Sequence, residues 1–297
     1  MLARKSVTKD YTEYNFGRES LKSYKDDTYK KIRCQYGINE FDVGSFYYYN
    51  PSIRGNSSSL IFFNSDFRFA IKTINRNEFD TLLRITDAYF SYVVDHPETL
   101  IVKIFGCYEI KNNNQSVSFI IMKNIFNTLS VCDIYDLKGY GVLRKTNQLI
   151  KKDKEWISEN NKIMTKDDNL VNQIKKDTLF LKDLNIMDYS LVISVNTSIC
   201  NKFFTSVNLK EVHNSNDVNI IYDGDYSLGI IDILTSYNNI KKCEHWFNYF
   251  CLCTNKKSCI NSSEYKKRFL ELVENHVILT GSEFNIEMTN KYRRSDK

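Results

Sequence analysis

Two short apolar runs of this chain each contain one acidic residue, and these acids constrain the fold more than any other feature. The first run is DLNIMDYSLVISV, where Asp188 precedes the alternating apolar residues Leu191, Ile193 and Val195. The second is SLGIIDILTSY, where Asp232 lies among isoleucine and leucine residues. A buried carboxylate is tolerated only when it is paired, hydrogen-bonded or bound to a metal. The pattern therefore predicts two strands that carry functional acids.

The composition indicates a globular, cytoplasmic protein. With 297 residues, 42% of them hydrophobic, the chain can bury a sizeable core in one large or two small domains. Its apolar runs fall far short of the roughly 20 residues that span a bilayer, and the start MLARKSVTKDYTEYN lacks the apolar region of a signal peptide. We therefore expect reduced cysteines. The late group lacks the paired CxxC spacing of structural zinc sites; it comprises Cys243, Cys251, Cys253 and Cys259.

The basic residues are grouped, although the net charge is only +5. The groups are Lys30, Lys31 and Arg33; Lys151, Lys152 and Lys154; Lys241 and Lys242; Lys256 and Lys257; Lys266, Lys267 and Arg268; Arg293 and Arg294. Each group alone is compatible with an ordinary solvated surface, but several on one face would attract an anionic membrane, by about 1 kcal/mol for each cation. No nucleic-acid-binding signature accompanies the charge. The pattern favours a membrane and predicts no nucleic-acid partner.

The order of apolar patterns predicts an α+β chain with two lobes. Two strands, a helix over about 78–94 and a further strand precede the Asn-rich stretch KNNNQS, and a helix around LVNQIKKDTLFLKDL, the two acid-bearing strands and a final helix SSEYKKRFLELVENHVI follow it. The segment Ile120 to Phe126 is the expected connection. We predict a polar arm over 1–23, an N-lobe over 24–122 and a C-lobe over 123–297, which includes a specificity loop.

A lysine, a glutamate and a small-residue loop form a second constellation. In FRFAIKTI, Ala70 and Lys72 share one face of the predicted strand, and Glu78 opens the next helix, where it could pair with Lys72 as in kinases. A strand lysine is more often a plain surface residue, so the order of these parts is the stronger argument. Small residues before the strand would let backbone N–H groups approach phosphates; they are Gly55, Ser57, Ser58 and Ser59. The whole series predicts a phosphoryl-transfer enzyme.

Three motifs carry a resemblance to a known family. The stretch YDLKGYGVLRKTNQ, together with IMDYSL and IIDIL, closely resembles the phosphatidylinositol phosphate kinases. The resemblance covers most of the chain, from about Tyr24 through YGI, FAIKT and TLIVKIFGCYEI to the closing EYKKRFLELV. It implies a two-lobed lipid-kinase fold, with an antiparallel-sheet N-lobe and a smaller α/β C-lobe that presents a flat basic face to the bilayer.

The resemblance also implies roles for individual residues, with ATP and Mg²⁺ as cofactors. Lys72 looks like the ATP-phosphate lysine with Glu78 as its partner, and Lys138 like a second phosphate-contacting lysine. Asp188 looks like the acid that orients or deprotonates the inositol hydroxyl, and Asp232 like the magnesium ligand. The predicted nucleotide-binding set is Gly55, Ser57, Ser58, Ser59, Ala70, Lys72, Glu78, Met122 and Asn124.

The segment IKKCEH is similar to the specificity loop of that family. An acidic residue at the position of Glu244 goes with 5-kinases that act on phosphatidylinositol 4-phosphate, and a small residue goes with 4-kinases that act on the 5-phosphate. Lys241 and Lys242 suit a phosphorylated headgroup, and the adjacent HWFNYF offers aromatic surface to a membrane interface. The resemblance thus implies a kinase that makes phosphatidylinositol 4,5-bisphosphate at the cytosolic face of anionic membranes.

Two departures from the family pattern leave other functions open. The usual DLKGST is replaced by DLKGYG, with Tyr140 and Gly141, and Ser57 and Ser58 stand where the loop usually has a second glycine. A pseudokinase that binds phosphoinositides without turnover is one alternative. A kinase that acts on the 3- or 5-monophosphate is the other.

Overall fold

A computed structural model describes most of the chain and divides it into two compact units. The described residues are 4–8, 10–39, 46–48, 59–112, 115–126, 132–139, 150–165, 168–196, 219–221, 226–237 and 261–280. Met1–Thr128 and Leu234–Ser236 form what we call the N-terminal unit, and Leu129–Ile233 and Tyr237–Lys297 form the C-terminal unit. Both units combine helices with sheets, which confirms the predicted α+β class. The C-terminal unit, expected to be the smaller one, contains the longer share of the chain.

The N-terminal unit is built on one antiparallel sheet. Its strands are β1 (Arg4–Val7), β2 (Tyr11–Phe16), β3 (Glu19–Tyr24), β4 (Phe46–Tyr48), β5 (Ile61–Asn64), β6 (Phe69–Ile74), β7 (Ile104–Asn112) and β8 (Gln115–Lys123), and its helices are α1 (Asp26–Gln35) and α2 (Arg76–Asp95). The eight strands lie in the order β1-β2-β3-β7-β8-β6-β5-β4. Every pairing is antiparallel. Strand β6 pairs with β5 on one side and with β8 on the other, so it lies inside the sheet.

The first strands correct the prediction of a polar arm over 1–23. Over the described residues, β1, β2 and β3 extend the sheet beyond β7, with Tyr24 paired to Cys107. The Tyr24 hydroxyl donates to Glu109 at 2.8 Å, and its ring packs edge-on against Phe79 at 4.8 Å between centroids. The buried residues of β2 and β3, Thr12 and Ser23, are polar, whereas the large hydrophobic Val7 and Phe16 are exposed, so no apolar alternation marks these strands in the sequence. They are added to the sheet by backbone pairing of β3 along β7, which would otherwise be an exposed edge.

The long helix α2 fixes the core of the N-terminal unit. Its apolar stripe is almost fully buried, as the helical periodicity predicts; it includes Leu82, Ile85, Tyr89 and Val93. The Tyr89 hydroxyl donates to the Val102 carbonyl at 2.7 Å and accepts from the Ile104 amide at 2.8 Å. The buried phenol therefore attaches the helix to the start of β7. The observed span Arg76–Asp95 confirms the helix predicted over 78–94.

The C-terminal unit contains two smaller sheets. Its elements are β9 (Cys132–Leu137), β10 (Ile150–Lys151), α3 (Asp153–Ser158), β11 (Asn161–Thr165), α4 (Asn169–Asp183), β12 (Ser190–Asn196), β13 (Asn219–Ile221), β14 (Tyr226–Ile231), α5 (Ser262–Leu272) and β15 (Ile278–Thr280). A π-helical turn, Val273–Val277, joins α5 to β15. The four-stranded sheet has the order β10-β9-β12-β14, and the three-stranded parallel sheet has the order β13-β11-β15.

An aromatic cluster attaches α5 to the start of β12. The Tyr189 ring lies 4.7 Å from the Tyr265 ring and 5.0 Å from the Phe269 ring, both in edge-on contacts. All three side chains are fully buried, and the Tyr265 hydroxyl donates to the Tyr189 carbonyl. Burial raises the pKa of Tyr189, although the nearby Arg268 cation opposes this effect, so the phenol stays neutral at physiological pH. This packing fixes the backbone immediately after Asp188.

Candidate active site

The lysine of FAIKT lies in the middle of the N-terminal sheet. Lys72 is paired with Ile61 on one side and Ile120 on the other, and it is 7% exposed. Its ammonium group forms an ion pair with Glu78 across 3.4 Å, which is the pairing that the sequence predicts. A lysine this deeply buried is stable as a cation only with such a partner. The strand ladder and the ion pair together fix where this positive charge lies.

Glu78 contributes to two interactions at once. Its side chain accepts from the Asn75 backbone N–H at 2.9 Å, while the Asn75 side chain accepts from the Glu78 N–H at 3.0 Å. This reciprocal capping box begins α2. The same carboxylate faces Lys72, so the start of the helix and the position of the lysine depend on one residue. Asn75 was not among the residues predicted from the sequence, although the spacing Asn-x-x-Glu is a signature of a helix start.

Other residues of the predicted nucleotide set share this region of the sheet. Ala70 pairs with Met122, and both lie on the face that carries Lys72. Ser59 lies two residues before Ile61, which is the residue opposite Lys72. Asn124 is 6% exposed, and its amide donates to the Phe67 and Phe126 carbonyls at 2.8 and 2.7 Å. The Asn124 side chain therefore stabilises the segment after β8.

Three charged residues of the C-terminal unit lie at one end of the four-stranded sheet. The β9–β12 pairing ends at Leu137 opposite Leu191, so Lys138 follows at that end. The β12–β14 pairing ends at Ser190 opposite Ile231. Because β12 is antiparallel to β9 and to β14, residues that precede β12 and residues that follow β9 and β14 share one edge. Lys138, Asp188 and Asp232 are these residues.

Asp188 and Asp232 have the same unusual backbone. Both have φ of 61°, in the left-handed region that few residues other than glycine enter. Such conformations cost about 1–3 kcal/mol and cluster at active sites. The expectation of deeply buried acids is wrong for Asp188, whose side chain is 39% exposed, and Asp232 is also half-buried. Both acids lie just outside the strands, where the backbone turn directs them to an edge instead of a core.

Lys138 contacts Asp188 twice. Its ammonium donates to the Asp188 backbone carbonyl at 2.7 Å and lies 3.2 Å from the carboxylate oxygen Oδ1. The Lys138 side chain is 12% exposed, so the pair is only partly screened by water. The sequence predicts Lys138 as a phosphate contact, and the structure places its charge beside the acid assigned to the inositol hydroxyl.

Asp153 is a further residue of this edge that sequence analysis missed. Its fully buried carboxylate accepts from the Lys138 N–H at 2.8 Å and from the Gly139 N–H at 3.2 Å. The preceding Lys152 forms a largely buried ion pair with Asp136. In the sequence both residues belong to a basic group, KKDK, that resembles solvated surface. An acid in the first turn of a helix was the available signal.

The donor set at this edge suits a magnesium ion. Mg²⁺ binds through one or two carboxylates and completes its shell with phosphate oxygens and water. Asp232 and Asp188 supply two carboxylates. The chemistry of the donors therefore fits the assignment of Asp232 as a metal ligand.

Three members of the basic groups lie inside their units. Arg33 is 6% exposed, and it donates to the Phe105 carbonyl at 2.6 Å. Burial lowers the pKa of Lys151, but hydrogen bonds to Glu159 and Asp133 reverse this effect, and the net pKa lies above the ordinary value. With Lys152 paired to Asp136, each of these three charges has a partner within its own unit. None of the described helices has both the length and the hydropathy to cross a bilayer.

Several predicted residues lie outside the described ranges. They are Gly55, Ser57, Ser58, Tyr140, Gly141, Lys241, Lys242 and Glu244, together with the cysteines at 243, 251, 253 and 259 and the aromatic segment 245–250. Their assignments remain predictions.

A lysine held by a helix glutamate, a second lysine paired with an acid, and a further acid at a strand end are parts that phosphoryl-transfer enzymes use. Residues 48–218 and 200–276 match the profile of the family described as Phosphatidylinositol-4-phosphate 5-Kinase. Since the match covers more than half of the chain, the chain belongs to this family.

Individual relatives agree with the family match. The chain is 28% identical, over 86% of its length, to a phosphatidylinositol 4-phosphate 5-kinase of Plasmodium falciparum, and 31% identical, over 61%, to a probable phosphatidylinositol phosphate kinase of Dictyostelium discoideum. It is also 30% identical, over 59%, to the mouse phosphatidylinositol 5-phosphate 4-kinase type-2 alpha. The aligned parts span 18%, 28% and 47% of these relatives. The relatives are therefore longer than the region they share with this chain.

Proposed function

We propose that this chain is an ATP-dependent lipid kinase that transfers the γ-phosphoryl group to the inositol 5-hydroxyl of phosphatidylinositol 4-phosphate. The observation that carries the proposal is the sheet edge of the C-terminal unit, where strand register brings Lys138, Asp188 and Asp232 together. The family membership and the names of the relatives support the same reaction.

Each residue has a defined part in the proposed reaction. The Lys72 ammonium, held by Glu78, neutralises charge on the ATP phosphates. Asp232 would hold Mg²⁺, which would neutralise further charge on the phosphates. The inositol hydroxyl oxygen forms a bond to the γ-phosphorus, the bond from that phosphorus to the ADP oxygen breaks, and the hydroxyl proton passes to Asp188. Lys138 holds Asp188 in position.

Substrate choice is the finer part of the proposal. Glu244, with Lys241 and Lys242, is assigned to recognition of the 4-phosphate headgroup, and the protein meets its substrate at the surface of an anionic membrane. The 5-phosphate 4-kinase among the relatives acts on a different monophosphate. Family similarity alone therefore does not select the substrate, and Glu244 is the residue from which we assign the 4-phosphate lipid.

The decisive experiment is radiolabelled phosphate transfer from ATP and Mg²⁺ to vesicles that contain phosphatidylinositol 3-, 4- or 5-phosphate in separate assays. Vesicles without phosphoinositide are the background control, and headgroup analysis locates the label. Label at the 5-position of the 4-phosphate lipid is expected. Label on another monophosphate would retain the kinase and overturn the specificity. A folded protein that binds vesicles without transfer would be the pseudokinase, with Tyr140 as the first position to revert.

A further inference from the structure

We propose, on the basis of the function above, that Asp153 is a positioning residue that holds Lys138 against Asp188. Lys138 and Gly139 lie beyond the last β9–β12 pair, at Leu137 and Leu191, so their backbone N–H groups have no partner in that ladder. Buried backbone donors need a partner. The Asp153 oxygen Oδ1 accepts from both, at 2.8 and 3.2 Å.

The chemistry of Asp153 makes it an effective anchor. Its side chain is fully buried, and hydrogen bonds from N–H groups to a carboxylate are stronger than those between neutral groups. One oxygen receives two consecutive amides, which fixes the direction of the chain at the point where it leaves the strand. The Lys138 side chain then extends to Asp188, where its ammonium meets the carbonyl and the carboxylate.

Two neighbouring contacts restrict the same turn. Gly139 has φ of 80°, and a Cβ at this position would lie 2.9 Å from the Arg268 carbonyl oxygen on α5. On the strand side, Lys152 forms an ion pair with Asp136. The consecutive residues Lys152 and Asp153 therefore contact Asp136 and Lys138 of the DLKG motif. The turn is thus held from α3 and limited by α5. Loss of the Asp153 carboxylate would remove the hydrogen bonds to the Lys138 and Gly139 N–H groups, so the backbone at Lys138 would become less ordered.

The test is a double-mutant cycle between Asp153→Ala and Lys138→Ala, measured as kcat and KM for transfer to phosphatidylinositol 4-phosphate vesicles. We expect Asp153→Ala to lower kcat roughly 10- to 100-fold, because small displacements of a positioned group have effects of that size. In the Lys138→Ala background the same change should have less than about a twofold effect. Equal losses in both backgrounds would overturn the proposal.

Conservative and matched variants separate positioning from folding. Asp153→Asn keeps the oxygen that accepts both N–H groups, although it loses the charge and the second acceptor oxygen, and should retain kcat within about fivefold of the wild type. Asp177→Ala removes another fully buried carboxylate, on α4, and should lower the melting temperature without a change in kcat. A loss in Asp153→Asn as large as in Asp153→Ala would contradict the role of the acceptor. If Asp153→Ala does not fold, Asp153→Ser replaces it in each comparison.

Amide hydrogen exchange of the peptide that contains 132–139 gives a readout that is independent of turnover. Exchange at Lys138 and Gly139 should become faster in Asp153→Ala and remain slow in Asp153→Asn. Unchanged exchange in Asp153→Ala would overturn the inference even if transfer is impaired. A wild-type protein without transfer would refute the proposed function, while the exchange result would still decide whether Asp153 positions Lys138.

Discussion

The two units hold their charged residues in opposite ways. In the N-terminal unit Lys72 lies in the middle of a strand with a neighbour on each side, and its side chain is 9% exposed. In the C-terminal unit Lys138, Asp188 and Asp232 lie just past strand ends, and the Asp188 side chain is 39% exposed. A residue inside a ladder is positioned by the ladder itself. A residue beyond the end of the ladder needs other contacts to position it. Here Asp188 and Asp232 have left-handed backbone conformations, and the Asp153 carboxylate binds the Lys138 N–H.

Because the charged residues are held differently in the two units, we expect substitutions in the two units to have different effects on activity and on stability. Substitutions around Lys72 disturb a buried ion pair and a helix start, so they should affect both properties. Substitutions of the half-buried Asp188 and Asp232 should affect activity far more than stability. The following predictions test that contrast, beginning with the largest effect.

Lys72→Ala and Asp232→Ala should each reduce phosphate transfer by about 1,000-fold or more, since each removes charge stabilisation at the phosphates or the metal. Initial rates with saturating ATP and vesicles measure this effect. Asp232→Asn is the matched control for the backbone, because asparagine tolerates the left-handed conformation, and it should be as inactive as Asp232→Ala. Wild-type rates in either alanine variant would refute the site assignment.

Asp188→Asn should lower kcat roughly 10²- to 10⁴-fold, as expected for loss of a group that accepts a proton. Because Asp188 is half-exposed but pairs with the largely buried Lys138, the free energy of unfolding should fall by only about 1 kcal/mol. Urea titration measures this stability alongside the kinetic assay. Asp183→Asn, an exposed acid at the end of α4, is the control that should alter neither quantity. A large loss of stability in Asp188→Asn would remove the contrast between the two units.

Glu78 should link the two properties in the N-terminal unit. Glu78→Gln can retain the capping box but loses the ion pair with the buried Lys72, so kcat should fall about 10- to 100-fold and the free energy of unfolding should fall by about 1–3 kcal/mol. Asn75→Ala removes the cap and should cost about 1 kcal/mol of stability while transfer continues. Kinetics and thermal unfolding of both variants distinguish these effects. If the two variants behave alike, the cap and the ion pair cannot be separated.

Glu244→Ala should have the smallest effect on total turnover and should instead shift the ratio of rates on the 4-phosphate and 5-phosphate lipids. Competition between the two lipids in one vesicle, with headgroup analysis, measures that ratio directly. Lys241→Ala is the comparison variant, since loss of a cation should weaken binding of both lipids. An unchanged ratio in Glu244→Ala would remove the argument for 4-phosphate specificity.

The sequence predicted the features that depend on local periodicity and on motif chemistry. Alternation in FAIKT placed Ala70 and Lys72 on one face, and the helical stripe of α2 predicted its buried side. The Lys72–Glu78 pair followed from a short separation along the chain. Such features are readable because a strand repeats every two residues and a helix every 3.6.

The sequence by itself determined the family, the α+β class and the identity of the charged residues, because these follow from composition, period and motif. Only the tertiary structure decided that residues 4–24 form three strands, that Arg33 and Lys152 are committed to internal contacts, and that Asp153 supports Lys138. The physical reason is that the sequence gives the charge and the hydrogen-bonding groups of each side chain, but not the residue with which that side chain pairs. Its partner is fixed only when strand register brings distant residues to one edge.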